Sequence, residues 1–379
     1  MRRGDTETRR HGEKKLVSDG KSDFAASPRL GVAASPIDWT KVNRVLVVRL
    51  RSIGDTVLAT ASLDALRRFL PAARIDILLE DWVAPVLEGF DAVDNVLTFK
   101  KDDFRSRLNA ARQIRRAKYD VALNLHGGTT ATFFVRASGA RHRIGYAENQ
   151  YKFLYNHLLS SSSDFWQKEK THSAEQQLAL LGFVGVPVAD KPKTRLVVTE
   201  KNAEEMDLFL HVHGVDDLKI ALIHPAAAFD TKQWATENFA RVIDYLASRD
   251  IFSIVVAAPK EEHIIKKLSE QTTTVFHGFT DLSLPEIAAL ASKAKIFIGN
   301  DSGIAHIAAA VNAPSVVIFG SSNIHHWHPW TNAPNEIVYE TLPCQPCAGC
   351  FCKEFGEPKC ILSVKVENVV QAIEKILKK

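Results

Sequence analysis

Two short stretches of this chain carry the side chains best placed to do chemistry. In residues 296–310, IFIGNDSGIAHIAAA, an apolar run stops at Gly299-Asn300-Asp301-Ser302-Gly303 and a run of small residues begins. That pattern reads as a strand feeding a helix. The free N–H groups and positive dipole end of such a helix favour a phosphate or another anion, and glycine lets the backbone approach closely. The same residues also fit an ordinary turn capped by Asp301 or Ser302. In residues 45–70, VLVVRLRSIGDTVLATASLDALRRFL, a second apolar strand runs through Gly54-Asp55 into a helix with Leu58, Ala61, Ala65 and Phe69 on one face. Asp55 thereby falls just beyond the carboxyl end of a strand, where open α/β sheets hold their ligands. A cap would need no arginines before it, yet Arg49 and Arg51 flank this turn.

A third group is the thiols. All five cysteines fall between Cys344 and Cys360, in CQPCAGCFCKEFGEPKC. In a reducing compartment such clustering points to a metal site or to reduced surface thiols more than to disulfides. The spacing of Cys344 and Cys347 suits zinc, whereas Cys350-x-Cys352 departs from a zinc-ribbon pattern. A structural site would draw on Cys344, Cys347, Cys352 and Cys360.

The elements that must position these residues alternate. From Arg44 the chain reads VLVVRL, a helix over 56–70, RIDILLE, VDNVLTF, a helix over 103–117, VALNLHG and a helix over 129–138. Residues 140–172 are irregular and polar with Tyr and Phe interleaved, which reads as the rim of a cleft. A helix over 173–182 leads to a Pro/Lys stretch, 186–195, that reads as an interdomain crossing. The second half repeats the arrangement: IALIHPA, a helix over 236–249, FSIVVAAP, a helix over 261–270, VFHGF, a helix over 284–292, AKIFIGN, a helix over 303–311 and SVVIFG. The fold class is therefore α/β, with two facing Rossmann-like domains and an interdomain cleft lined by loops beyond the strand ends. The expected divisions are a largely disordered basic tail over 1–40, a first domain over 41–190, a second over 191–362 that includes the cysteine segment 344–360, and a closing helix over 363–379.

Composition fits this reading. A chain of 379 residues exceeds what a single core usually supports, and 46% hydrophobic with 24% charged residues is ordinary for a globular protein. No apolar stretch approaches a membrane span, and MRRGDTETRRHGEKK has no apolar run behind its charges, so a cytoplasmic location is expected. A net charge of +4 without aromatic-studded basic modules argues against nucleic acid as a partner. Basic residues do gather, at Arg2, Arg3, Arg9, Arg10, Lys14 and Lys15, and again at Arg105, Arg107, Arg112, Arg115, Arg116 and Lys118. They fit a weak contact with anionic lipid headgroups or simply a solvated face. Neither half carries G-x-G-x-x-G or G-x-x-x-x-G-K-[ST] after its first strand, which argues against a dinucleotide dehydrogenase and a P-loop enzyme.

The segments RLRSIGDTVLATASLDALR, RIGY, HPAAAFDTKQW, GNDSGIAHIAAAVNAP and VVIFGSS, then the cysteine segment and a final helix, follow one another in a known order. Over residues 45–373 the chain resembles glycosyltransferase family 9, the ADP-heptose:lipopolysaccharide heptosyltransferases. The DSG-x-x-H-x-A-A run is the most specific part. The resemblance implies the GT-B architecture and inverting transfer of heptose, or a related sugar, from an ADP-sugar to a lipopolysaccharide-core acceptor at the inner face of the cytoplasmic membrane, with no cofactor required.

By the same resemblance, Asp55 matches the general base for the acceptor hydroxyl. Asp301, Ser302, Gly303 and His306 match the donor-binding motif, and Lys232 the lysine that meets the diphosphate. Glu261, or its neighbour Glu262, looks like the acid that holds the ribose. Ser322 keeps a donor-side hydroxyl, while Arg51, Arg143 and Tyr146 fall on the acceptor side. Each has a plainer reading: Lys232 as a surface lysine, His306 as a core histidine, Glu261 as a first-turn helix acid, and Arg51 either pairing with Asp55 or reaching solvent.

Two donor-side motifs depart from the family. His224-Pro225-Ala226-Ala227 stands where His-Pro-Gly-Ala is usual, and Ser321-Ser322 where Pro-Thr is usual. The IHHWHPW stretch reads as a hydrophobic Trp327/Trp330 anchor with surface histidines at 325, 326 and 328. Two rival functions share the architecture: a nucleotide-sugar epimerase and a non-catalytic nucleotide-sugar-binding protein.

Overall fold

A computed structural model describes residues 31–33, 36–347 and 349–378. The basic cluster expected within residues 1–15 lies outside the described residues. The first lobe is a sheet of seven strands: β1 Gly31–Ala33, β2 Arg44–Leu50, β3 Arg74–Glu80, β4 Asn95–Phe99, β5 Val121–Asn124, β6 His142–Tyr146 and β7 His157–Leu159, in the order β1-β7-β6-β5-β2-β3-β4. All neighbours are parallel except β1 and β7. Part of the tail expected to be disordered therefore pairs with the sheet.

Alternate residues of β2 enter two different cores, which is why residues 45–48 read as a continuous apolar run. Val45 and Val47 pack with Val57, Leu63 and Leu66 of helix α1, Ile53–Phe69. Leu46 and Val48 pack with Ala110 and Ile114 of α2, Phe104–Ala117, and with Phe134 of α3, Gly128–Ser138. Short helix α4, Ser162–Trp166, and α5, Ser173–Phe183, complete the lobe. Residues 140–172, expected as an irregular rim, contain β6 and β7. Both are too short and too mixed in polarity to announce themselves by period.

The second lobe is an all-parallel sheet of six strands: β8 Lys219–His224, β9 Ile251–Val256, β10 His277–Phe279, β11 Ile296–Asn300, β12 Ser315–Phe319 and β13 Asn335–Tyr339, in the order β10-β9-β8-β11-β12-β13. Around it lie α6 Glu200–Val212, α7 Thr236–Ala247, α8 Glu262–Gln271, α9 Leu284–Lys293 and α10 Gly303–Ala310, with short α11 Ile324–Trp327 and α12 Lys359–Leu362. The closing helix α13, Val366–Leu377, buries Val369, Ile373 and Ile376 in this lobe's own core. Helix α6 and edge strand β13 were not foreseen from the pattern.

In each sheet the direction of winding reverses once, between β2 and β5 in the first and between β8 and β11 in the second. Such switch points open a crevice beyond the strand ends. The loops after β2 and β11 are the two stretches singled out by their chemistry. The lobes touch directly through α1 and α10, and are fastened by Arg195, whose guanidinium grips the Asp64 carboxylate at 2.9 and 2.7 Å. The Arg195 backbone N–H also donates to the Thr60 hydroxyl of α1 at 3.2 Å.

Candidate active site

A cleft of about 860 Å³ lies between the lobes. The turn after β2 forms its inner end. Leu50 and Ser52 both sit in the left-handed region, at φ 65° and 74°, and this sharp reversal starts α1 within three residues of the strand. Ser52 occupies the N-cap position without a capping bond from its side chain, and Asp55 is no cap either. Its carboxylate pairs with the guanidinium of Arg49, itself only 6% exposed, which also donates from Nη1 to the Leu125 carbonyl at 2.7 Å. Burial lowers the Arg49 pKa from its usual value, and the adjacent carboxylate works against that. Asp55 faces the cleft, with a fifth of its side chain exposed. Arg51 lines the cleft and is exposed, so the partner of Asp55 is Arg49, whose burial nothing in its spacing announced.

The donor-side residues gather on the second lobe. Asp301, at the end of β11, is buried and accepts two hydrogen bonds on one oxygen: from Lys232 Nζ at 2.8 Å and from Ser322 Oγ at 2.5 Å. Lys232 is thus no stray surface lysine. The neighbouring Asn300 donates to the Pro225 carbonyl and accepts the Trp234 N–H at 3.1 Å, joining the turn that presents Lys232 to the loop after β8. Ser302 caps α10 through Ala305 N and lies 3.2 Å from His224 Nδ1. Ala226, where glycine was usual, is buried.

His306 is the junction between the half-sites. It is buried, its ring lies against Gly54, and Asp301, Asp55 and Lys232 all act on it electrostatically. Burial lowers its pKa, while the two carboxylates oppose this. Its Nδ1 has no hydrogen-bond partner among the described residues. On the other contact, a side chain at Gly303 would collide with Ile53.

Three expected site residues fall elsewhere or carry other duties. Arg143 does not line the cleft, and its guanidinium is spent on the carbonyls of Leu154 and Ala140. Glu261 folds back to accept the Ala258 N–H at 3.0 Å, the first-turn role that its position allowed. Tyr146 does line the cleft, but its hydroxyl donates to the Gln176 carbonyl and burial raises its pKa.

The pattern also missed several cleft residues. The end of β5 contributes Asn124, whose Oδ1 accepts the N–H groups of His126 and Gly127 at 3.1 and 2.9 Å. His126 beside it is held neutral, its pKa pulled down to about 4 by burial and by Arg49 and Arg51. Trp82 and Gln177 line the same space. Only the switch-point rule, applied to VALNLHG, could have pointed to Asn124 and His126.

The histidines of IHHWHPW are less superficial than expected. His326 lines the cleft and His328 packs edge-on against His172, which stacks on buried Trp330 at 4.6 Å. Cys344, Cys347, Cys352 and Cys360 are among the residues lining one small void of about 10 Å³, with Cys350 exposed and not among its lining and all five thiols free. Among the described residues no group of three or more His, Cys, Asp or Glu side chains is arranged to hold a metal ion. This segment supports the donor side: Cys347 N donates to the Ser321 carbonyl at 2.9 Å, and Ser321 Oγ to Thr231 Oγ1.

Comparison with known proteins agrees with this geometry. Residues 107–355 match the family described as glycosyltransferase family 9 (heptosyltransferase). Lipopolysaccharide heptosyltransferase 3 of Escherichia coli is 29% identical over 275 residues, covering 68% of this chain and 77% of that protein. Among solved structures, a glycosyl transferase family 9 protein from Veillonella parvula superposes with a TM-score of 0.77 at 20% identity, covering 89% of this chain and 97% of that one. The E. coli ADP-heptose lps heptosyltransferase II does so at 0.74 and 17% identity, covering 88% and 98%. With two parallel-sheet lobes meeting at their switch points and the GNDSGIAH run at the second, this chain belongs to glycosyltransferase family 9, the heptosyltransferases.

Proposed function

We propose that this protein transfers heptose, or a closely related sugar, from an ADP-sugar to a lipopolysaccharide-core acceptor with inversion at the anomeric carbon. The observation that carries the reading is the approach of two half-sites: Asp55 from the first lobe and Gly303 from the second line one cleft. Asp55 takes the proton of the acceptor hydroxyl, whose oxygen then attacks the anomeric carbon from the face opposite the nucleotide. The bond from that carbon to the diphosphate oxygen breaks, and ADP leaves with its negative charge met by Lys232 and the N–H groups that open α10. In this role Lys232 exchanges part of its pairing with Asp301 for the diphosphate, and Asp301 and Ser322 become available to sugar hydroxyls. Ser302 and His306 shape the floor beneath them.

Closure of the lobes excludes water that would otherwise hydrolyse the donor. A position against the inner face of the cytoplasmic membrane fits α2, where Arg105, Arg112, Arg115 and Arg116 are exposed and in no ion pair among the described residues. No described helix is long and apolar enough to cross a membrane.

The test is product mass after incubation of the purified protein with a panel of nucleotide sugars and truncated lipopolysaccharide acceptors. A mass gain of one heptose from the ADP-linked donor is expected. Preference for a UDP-sugar removes the donor assignment, and epimerised nucleotide sugar without any acceptor establishes the rival enzyme.

A further inference from the structure

In the reaction proposed above Lys232 meets the diphosphate, yet it ends a turn of only three residues, Asp230–Lys232, and its ammonium hangs on a flexible four-carbon stem. Something must hold that turn against the sheet. The dipeptide Ser321-Ser322, just past the end of β12, reaches both sides of the Lys232–Asp301 pair. Ser322 donates from Oγ to the Asp301 carboxylate at 2.5 Å. Ser321 binds Thr231, the residue before the lysine, twice: its N–H donates to the Thr231 carbonyl at 3.1 Å and its Oγ to Thr231 Oγ1 at 2.9 Å. Ser321 and Thr231 are 3% and 2% exposed, so these hydroxyls serve the protein rather than solvent.

Further contacts close this arrangement from behind. At Gly320 a Cβ would stand 2.2 Å from the Thr231 carbonyl oxygen, so the exit of β12 and the turn are in direct backbone contact. The cysteine segment then grips two successive carbonyls, with Gln345 Nε2 donating to Gly320 at 2.6 Å and Cys347 N to Ser321 at 2.9 Å. Thr231 Oγ1 passes its own proton to the Gly349 carbonyl at 3.3 Å, which completes a chain of buried hydrogen bonds from Ser321 through Thr231 into that segment. A proline at 321, the residue usual there, would supply neither the N–H nor the hydroxyl. We infer that Ser321 is a positioning residue for the donor: it clamps Thr231 between β12 and the cysteine segment and thereby holds Lys232 where it meets the diphosphate. The inference rests on the role proposed above for Lys232 and names what places it. Ser321 acts through the lysine and takes no part in the bond changes.

The test reads diphosphate binding apart from catalysis. Calorimetry with ADP and with UDP, which share the diphosphate, is run on the wild type, Ser321→Ala, Thr231→Val, Thr231→Ser, Lys232→Ala, and Ser321→Ala combined with Lys232→Ala. Ser321→Ala and Thr231→Val each break the hydroxyl bond from one side and are expected to weaken binding of the preferred nucleotide by about 10-fold, whereas Thr231→Ser keeps the bond and stays within about 2-fold of the wild type. On the Lys232→Ala background, Ser321→Ala is expected to add less than about 2-fold, because the lysine through which it acts is gone. Thermal midpoints report any loss of folding separately. Wild-type nucleotide affinity in both Ser321→Ala and Thr231→Val overturns the inference. So does a further loss of about 10-fold on the Lys232→Ala background, which would place the effect in the fold at large. Failure of the wild type to bind either nucleotide removes the lysine's role and the inference together. Coupled loss of affinity in a protein that transfers no sugar removes the reaction and keeps the positioning of Lys232.

Discussion

A Cβ placed on Gly54 would stand 2.7 Å from Cδ2 of His306, so the residue before the cleft carboxylate and the histidine of the second lobe occupy adjoining space with nothing between them. The contact joins the start of α1 to the middle of α10. Gly54→Ala must therefore push the two helices apart or tilt the ring, at a cost of about 1–3 kcal/mol as in other overpacked sites. Misplacing Asp55 relative to the donor lobe is expected to lower kcat/KM by about 10-fold or more. Urea unfolding and transfer assays check both. Unchanged values would show that the interface yields without consequence.

Asp55→Asn keeps the shape of the turn and removes the proton acceptor. Turnover is expected to fall by about 100-fold or more, with ADP affinity retained by calorimetry. Arg49→Met acts differently, because it leaves the Asp55 carboxylate without its guanidinium and the Leu125 carbonyl without its donor. Loss of a buried partner costs about 3–5 kcal/mol, and the partial exposure of Asp55 places the expectation at the lower end.

Lys232 and Ser322 converge on one oxygen of Asp301. A double-mutant cycle over Lys232→Ala and Asp301→Asn should show coupling of about 0.5–3 kcal/mol in stability, because the buried carboxylate and its ammonium act as a unit. Lys232→Ala alone should also raise the KM of the ADP-sugar. Strict additivity in unfolding free energy would argue that the pair is incidental.

Acid should destabilise the fold before most carboxylates titrate. Burial depresses the pKa of His224 from 6.5 to about 4, and burial with neighbouring His328 depresses that of His172 from 6.5 to about 2. The unfolded chain therefore binds more protons than the folded one below pH 6.5. The stabilising contribution is complete above that pH and is lost as the pH falls through the folded values. Each histidine contributes a slope approaching about 1.4 kcal/mol per pH unit where only its unfolded form is protonated. Urea midpoints at pH 7.5, 6 and 5 should decline, and His172→Gln should flatten the decline. A flat profile for the wild type would contradict the burial of these rings.

The thiols should differ in reactivity. Cys360 is buried with its pKa raised by burial, whereas Cys350 is exposed. Alkylation of the native protein in chelator, followed by peptide mass mapping, should modify Cys350 first and Cys360 last. Protection of Cys344, Cys347 and Cys352 that appears only without chelator would establish a bound ion, and an identical order in both conditions would exclude one.

The sequence by itself determined the strands and helices that carry the site. The stretches VLVV of β2 and IFI of β11 are apolar at consecutive positions because both faces of their sheets are covered, and this made them readable from the sequence. It also marked Asp55 and the Asp301–Ser302–Gly303 turn, since a strand that ends in glycine and acid before a helix is a local pattern. Strands β6 and β7 were hidden because they are short and edge toward the rim, where burial is partial and the period weak.

Tertiary structure alone decided the partners. Arg49 lies in β2 and Arg51 in the turn just past its end, and only the positive-φ turn at Leu50 and Ser52 leaves the first buried beside Asp55 and the second exposed. Arg143 looked like a ligand-binding cation until the chain folded its guanidinium onto two carbonyls. Trp82 and Gln177 stand 95 positions apart and line one cleft only because the chain folds the loop after β3 and the helix α5 around it. Local spacing fixes which backbone hydrogen bonds close within an element, whereas the pairing of distant charges and amides depends on which surfaces the sheets bring together.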